Sequence, residues 1–281
     1  MINTDQQKNQ NRKISNIENL PWKTEDVMQE SNQQMNRIPA CDILGVHIAA
    51  IDMNWLMQFT REHAEELSGE YICVSNVHTT VTAYDDPLYL TVQNSAVLAI
   101  PDGGPLSALG RKRGFPGMKR TTGPAYMENV LAESVRHGWT HYFYGSSKAT
   151  TDKMVDEVRK RYPGIEIRGV LNPPFRELTA EEDQQAIQQI NEAAPDFIWV
   201  GLGAPKQERW MYAHKGKVHG LMIGVGAAFD YLAGNIRRAP EWMQKANLEW
   251  LYRLFQDPRR LFWRYLYTNT RFLWKAVICG K

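Results

Sequence analysis

The sequence predicts an α/β protein, with a parallel or mostly parallel sheet carrying helices on both faces. Three observations predict it. Short apolar runs of strand type alternate with helical segments at βαβ spacing from Cys41 onward. Nearly every unusual loop follows one of those runs, at 76–78, 101–104, 145–147, 201–208 and 226–230. In open α/β sheets ligands sit at the carboxyl ends of strands, so that shared position predicts one composite site. The 281 residues, 43% of them hydrophobic, are enough for one large core or two small ones.

The elements follow in chain order. Residues 1–39 form a tail: 13 of the first 36 are Asn or Gln, with a short docked piece expected at 20–22. Residues 43–48 read as a strand. Asp52 caps a helix over 52–67. Residues 71–75 are a buried strand, with a helix expected from about Thr79 to Tyr84. Residues 97–100 are a strand running into Pro101-Asp102-Gly103-Gly104, and 141–144 a strand running into Gly145-Ser146-Ser147. A helix follows over 148–161, then a strand over 165–171 that enters Asn172-Pro173-Pro174-Phe175. Thr179 opens a helix to Ala193, and Glu182 three residues on completes a capping box. Strands at 197–200 and 221–225 close the core, taken as 40–236. Residues 237–281 are a helical appendage, with helices predicted over 241–255 and onward from Asp257-Pro258.

Composition excludes several classes. No apolar run reaches the length of a membrane span. The first residues, MINTDQQKNQNRK, lack the apolar core of a secretory signal. Three cysteines without CxxC spacing argue for a reducing compartment and against a disulfide framework or zinc site. The net charge of +2 hides an asymmetry: 237–281 carries +7, leaving −5 for the rest. Ten of the 30 aromatic residues lie between Trp242 and Trp274. A basic, aromatic tail on an acidic body fits an anionic partner or surface, and the acidic body argues against nucleic acid.

Individual residues sharpen this. Asp102 is a carboxylate between a buried strand and two glycines, suited to a general base facing a closely approached ligand; it also suits a plain turn. Gly103 permits that approach. Gly145 and Ser146 lead to a helix N-terminus that suits a phosphate, or is an ordinary capped turn. Gly201 and Gly203 begin a partial dinucleotide fingerprint that fails where Lys206 stands in place of the third glycine. That loop, with Lys206, Gln207 and Glu208, can still cradle a nucleotide. Gly226 and Asp230 form a similar loop, with Asp230 placed for a ribose or sugar hydroxyl or for a helix start. His78 sits in a strand-end loop, whereas His137 and His141 read as structural. No metal-ligand cluster, Walker lysine, GxSxG or HExxH motif is present. Arg260, Arg264, Arg271 and Lys275 share one face of the last helix, beside Leu261, Tyr265 and Phe272. Such a helix lies on an anionic membrane, or docks on its own core or on a partner copy in a homo-oligomer.

At these residues a resemblance appears. VSNVHTTVTA, AIPDGGPLS, RTTGPAYM, FYGSS, GLGAPKQE, GVGAAFD and RRAPEWMQKANLEWLYRLFQDPRRLFWRY, spread over 41–274, resemble the WecG/TagA/CpsF glycosyltransferases, or glycosyltransferase family 26. SNVHTTV together with NPPF is most similar to the xanthan-type exopolysaccharide branch, which adds glucose. The resemblance implies a Rossmann-like core of the GT-E type and an inverting transferase of the bacterial cell envelope. A UDP-sugar is the implied donor and a polyprenyl-diphosphate-linked sugar the acceptor. No metal or other cofactor is implied. The implied enzyme is cytoplasmic and peripheral to the inner face of the plasma membrane. Asp102 matches the family's general base, Asn76 its site asparagine, Arg120 its site arginine and Gln207 its site glutamine. Arg238, Arg253, Arg259 and Arg260 match tail arginines that meet the lipid diphosphate or the membrane, a task suited to guanidinium groups.

The chain departs from the pattern twice. Val74 stands where many members carry threonine, which passes any hydroxyl role to Ser75, His78 or Thr79. Ala125 stands where many carry aspartate. Other functions stand beside this one: an N-acetylmannosaminyl-type transferase of the same family, a nucleotide-sugar-modifying or nicotinamide-dependent Rossmann enzyme, and a non-catalytic membrane subunit. The failed fingerprint counts against the nicotinamide enzyme.

Overall fold

The structure is a computed structural model, and it describes residues 38–280. The tail expectations for 1–37, including the docked piece at 20–22, lie outside the described residues. Eight strands form one sheet: β1 (Ala40–Ile43), β2 (Val46–Ala49), β3 (Tyr71–Ser75), β4 (Leu98–Pro101), β5 (Thr140–Gly145), β6 (Glu166–Leu171), β7 (Phe197–Gly201) and β8 (Leu221–Gly224). Their order is β1-β2-β4-β3-β8-β7-β5-β6. Every pairing is parallel except β1 with β2. The α/β class with a Rossmann-like, mostly parallel sheet therefore holds.

Central strands β3, β5 and β8 are buried at every position, as in a sheet covered on both faces. Edge strand β6 instead alternates exposed and half-buried residues. Trp199, fully buried on β7, donates its indole N–H to His141 Nδ1 at 3.1 Å. The other ring nitrogen of His141 therefore carries the proton, 2.7 Å from Ser134 Oγ. Burial pushes His141 down to about 3, so it is a neutral core residue.

The first strand differs from the expectation. Residues 43–48 are not one strand but the turn of a hairpin, because Leu44 and Gly45 both adopt positive φ. Asp52 does cap α1 (Met53–His63), accepting from Trp55 N, though that helix ends before Leu67. Then come α2 (Val77–Asp85), α3 (Pro87–Asn94), α4 (Gly104–Lys112), α5 (Gly123–His137), α6 (Lys148–Arg161), α7 (Ala180–Ala193), α8 (Lys206–His214) and α9 (Ala228–Leu232). The Thr179–Glu182 capping box forms as expected.

The appendage is α10 (Glu241–Lys245), α11 (Glu249–Gln256), α12 (Pro258–Phe272) and a π-helical end, Leu273–Ile278. The single helix expected over 241–255 is two, broken where Asn247 takes a left-handed conformation. Asp257 caps α12 as expected. These helices pack in the same unit as the core. Leu261, Phe272 and Ala276 are buried. Arg271 and Tyr267 both reach Asp85 at the end of α2. Arg113 donates to the carbonyls of Asp42 and Ala276, joining the hairpin turn to the last helical turn.

Candidate active site

One cavity of about 1140 Å³ opens at the carboxyl ends of the strands. Sheet register assembles it. Ser75 pairs with Pro101, so Asn76 and Asp102 leave adjacent strands side by side. Asp102 N donates to Ser75 O at 2.9 Å. Gly145 pairs with Gly201, and Val200 with Gly224. Gly145 has φ +117°, and a Cβ there would lie 2.7 Å from the Gly201 carbonyl carbon. Only glycine lets these two loops touch.

Asn76, His78, Asp102, Gly103, Arg120, Ser146, Gly201, Gly203, Lys206, Gln207, Gly226 and Asp230 all line the cavity. So do Arg253, Arg260 and Arg264 of the appendage. Motifs spread over nearly 200 residues thus converge on one space.

Six expected site residues stand elsewhere, Glu208 among them. Ser75 is fully buried and donates to Gln93 Oε1 at 2.7 Å. Thr79 is buried, its hydroxyl engaged with the Asn76 backbone in a capping box. Buried and engaged in this way, neither hydroxyl replaces the threonine, and Val74 itself lines the cavity with an apolar side chain. Gly145 is buried against Gly201 and does not line the cavity. Arg259 is exposed and not on the cavity wall. Arg238 pairs with Glu128 at 3.0 Å and lines a smaller neighbouring cleft, which Ala125 also borders.

Asp102 is half-buried. Burial pushes its carboxyl up to about 6; Arg120 and Arg253 pull it down, Glu249 pushes it up, and the Gly123 N–H stabilises the anion. A carboxylate with that value is ionised at neutral pH yet more basic than a free one, the condition a general base needs. Asn76 caps α2, accepting from His78 N and Thr79 N. His78 is pushed down to about 4 by burial, with Arg264 adding to the effect. It is therefore a neutral imidazole, and its Nδ1 is buried without a hydrogen-bond partner. Arg264 Nε is likewise buried and unpartnered.

Gln207 is held at both ends, its carbonyl accepting from Gly203 N and its amide donating to Glu208 Oε1 at 2.8 Å. Glu208 is fully buried beneath it rather than on the wall. Burial pushes Glu208 up to about 7, and its second oxygen has no hydrogen-bond partner. Its folded-state value exceeds the unfolded one, so its stabilising contribution is complete at low pH and is lost as pH rises towards 7. Glu208→Gln is expected to keep the fold and the Gln207 contact. Its Tm advantage over the wild type should widen from pH 5 to pH 7 and then hold, by thermal denaturation. Glu208→Ala should instead cost about 2–3 kcal/mol through the cavity and the stranded amide.

Among the lining residues to which the sequence does not point are Tyr231, Glu249 and Trp250. Glu249 and Trp250 lie in the LEW segment of the tail and carry no local signal. Phe175, 88% exposed, stands at the cavity mouth on the loop after β6. Asn172 of that loop donates to Gly145 O and so braces the Gly145–Ser146 turn. Among the described residues no three His, Cys, Asp or Glu side chains converge in a group that could hold a metal ion.

The chain is similar to three proteins named N-acetylglucosaminyldiphosphoundecaprenol N-acetyl-beta-D-mannosaminyltransferase. The one from Bacillus spizizenii is 28% identical over 203 residues, 72% of this chain and 76% of the relative. The one from Bacillus subtilis is 28% identical over 201 residues, 71% and 77% of the two chains. One from Staphylococcus aureus is 26% identical over 226 residues, 78% and 86%. A family model spans residues 41–280, covering both the strand-end cavity and the appendage that closes it, and on that match the chain belongs to the glycosyl transferase WecG/TagA/CpsF family.

Proposed function

We propose that the protein is an inverting glycosyltransferase that moves a hexose from a UDP-sugar to a polyprenyl-diphosphate-linked sugar. The observation that carries this reading is the placement of Asp102 in the strand-end cavity. One wall there is a nucleotide-type loop set and the other is the arginines of α11 and α12. Asp102 takes the proton from an acceptor hydroxyl. That oxygen bonds to the anomeric carbon from the face opposite the nucleotide, and the bond from that carbon to the UDP oxygen breaks. UDP leaves with the electron pair. Ser146 and the N-terminus of α6, with Lys206, are placed to hold the departing charge. Asp230 is placed for a sugar or ribose hydroxyl. Arg253, Arg260 and Arg264 are placed for the acceptor diphosphate.

Glucose is the donor sugar in the first reading, with a role in exopolysaccharide assembly. The names of the relatives favour a second, in which N-acetylmannosamine is transferred to a polyprenyl-diphosphate N-acetylglucosamine. Peripheral attachment to the inner face of the plasma membrane fits the tail. No helix among the described residues is long and apolar enough to cross a membrane. Most of the exposed large apolar side chains among them lie between Trp242 and Ile278. The test is UDP release from a panel of UDP-sugars with lipid-diphosphate-sugar acceptors, with and without EDTA. The expected result is release with one donor, unchanged by the chelator. Release that requires an added divalent ion would overturn the metal-free part of the reading.

A further inference from the structure

We propose that Glu249 is a positioning residue, which reaches from the appendage to fix the Arg120 guanidinium against the Asp102 loop and so sets the charge balance at the Asp102 carboxylate. This inference rests on Asp102 being the base.

The geometry is a bridge between three separate parts of the chain. Arg120 Nε donates to the backbone carbonyl of Asp102 at 2.9 Å. Its Nη2 donates to Glu249 Oε2 at 2.5 Å, and its Nη1 reaches Gln244 O at 3.4 Å. The other Glu249 oxygen accepts from the Tyr231 hydroxyl, on α9, at 3.3 Å. The Arg253 guanidinium lies over the Tyr231 ring, 5.9 Å from its centre. Both ion-pair side chains are mostly buried, at 22% and 12% exposure. Their mutual field is therefore weakly screened.

The Asp102 loop is gripped a second time. A Cβ on Gly104 would lie 2.1 Å from Asn247 Oδ1, so the turn between α10 and α11 sits directly on the start of α4. The appendage thus contacts the loop through Arg120 and through Asn247, with Glu249 as its charged contact.

The resemblance implies Arg120 as a site arginine. Here its guanidinium is committed to one carboxylate and two carbonyls, with two of its five N–H groups left over. Those three contacts make it a structural and electrostatic brace for the Asp102 loop. Alone it would hold Asp102 strongly ionised and weakly basic. Glu249 offsets that charge, while Arg253 and Arg120 together keep the carboxylate from staying protonated at neutral pH. The charged and titratable groups that face Asp102 are Arg120, Glu249 and Arg253, with the Tyr231 phenol beside them. His78, Lys112, Lys206, Asp230, Arg260 and Arg264 line the same cavity.

The experiment is Glu249→Gln in the full chain. Two readouts are used: the pH dependence of sugar transfer from UDP-glucose or UDP-N-acetylmannosamine, and a carbon-13 titration of Asp102 in aspartate-labelled protein. The Asp102 signal is assigned by its loss in Asp102→Asn. The expected result is a fall of about one pH unit in both the acidic limb and the Asp102 titration. Glu249→Asp, which keeps the charge, should restore most of the limb. A limb and a titration that stay in place, even with reduced kcat, would overturn the proposal and leave Glu249 a packing residue. If Glu249→Gln does not fold, Arg120→Gln is compared with Arg120→Gln/Glu249→Gln, which has no stranded charge. The double variant should titrate about one unit lower, and equal values would overturn the proposal. The titration needs no substrate, so it decides the matter even if no donor turns over and the transfer reading fails.

Discussion

Asp102→Asn is expected to lower sugar transfer by about 10³-fold and to raise Tm at pH 7.5. The first effect follows from losing the base, and general base catalysis is worth roughly 10²–10⁴-fold. The second follows from the sign of the shift. Asp102 ionises in the folded protein at about 6, above its ordinary 3.8. The folded state therefore binds the proton more tightly than the unfolded chain. Stability from this site is full below pH 4 and falls as pH rises to 6. The neutral amide avoids that loss, worth about 1–2 kcal/mol after allowing for partial exposure. Tm should thus rise by a few degrees at pH 7.5 and hardly at all at pH 4. An inactive variant that is less stable at both pH values would mean a structural aspartate. A variant with near wild-type transfer would remove Asp102 from the mechanism.

The replacement of Trp263 and Trp274 together by glutamate should abolish binding to anionic vesicles. It should spare transfer to a short, water-soluble acceptor analogue. Both indoles are well exposed, at 72% and 57%, and neither lines the cavity. Aromatic side chains of this size bury about 150–250 Å² each, and apolar area is worth about 25 cal/mol per Å². Half of that transfer for two rings already exceeds a 100-fold change in partitioning, and two carboxylates add repulsion from anionic lipid. Flotation with phosphatidylglycerol vesicles measures the first effect and UDP release the second. Unchanged flotation would show that the exposed aromatic surface is not what holds the protein to lipid.

Much of this site was legible because the fold places it by a rule. A residue just past the end of a parallel strand faces the crevice, so Asn76, Asp102, Ser146, Gly203 and Gly226 could be found by locating buried strands. The hairpin at Leu44-Gly45 was not legible, since a turn with a leucine at positive φ carries no Asn-Gly signature. The break in the appendage at Asn247 was hidden for a different reason. Its cause is tertiary, the close seat on Gly104, and flanking helix formers conceal it. Ser75, Thr79 and Glu208 were misplaced because loop position does not tell which way a side chain faces. Each turned inward to satisfy a buried polar partner or the backbone. Glu249 was missed because it is brought to Asp102 from 147 residues away by helix docking, which no local pattern encodes.

The Arg113 contacts bear on the order in which the molecule is made. Arg113 holds the carbonyl of Asp42 with one nitrogen and that of Ala276, 163 residues further on, with another. During synthesis from the N-terminus, the hairpin and α4 emerge long before the last helical turn. Domains tend to form as their chain appears, and contacts of such separation close late. The seat for the tail is therefore built before the tail exists. Until the tail docks, the Asp102 loop has neither Glu249 nor Asn247 against it. A nascent core of this kind has its strand-end loops in place before Glu249 and Asn247 reach the Asp102 loop.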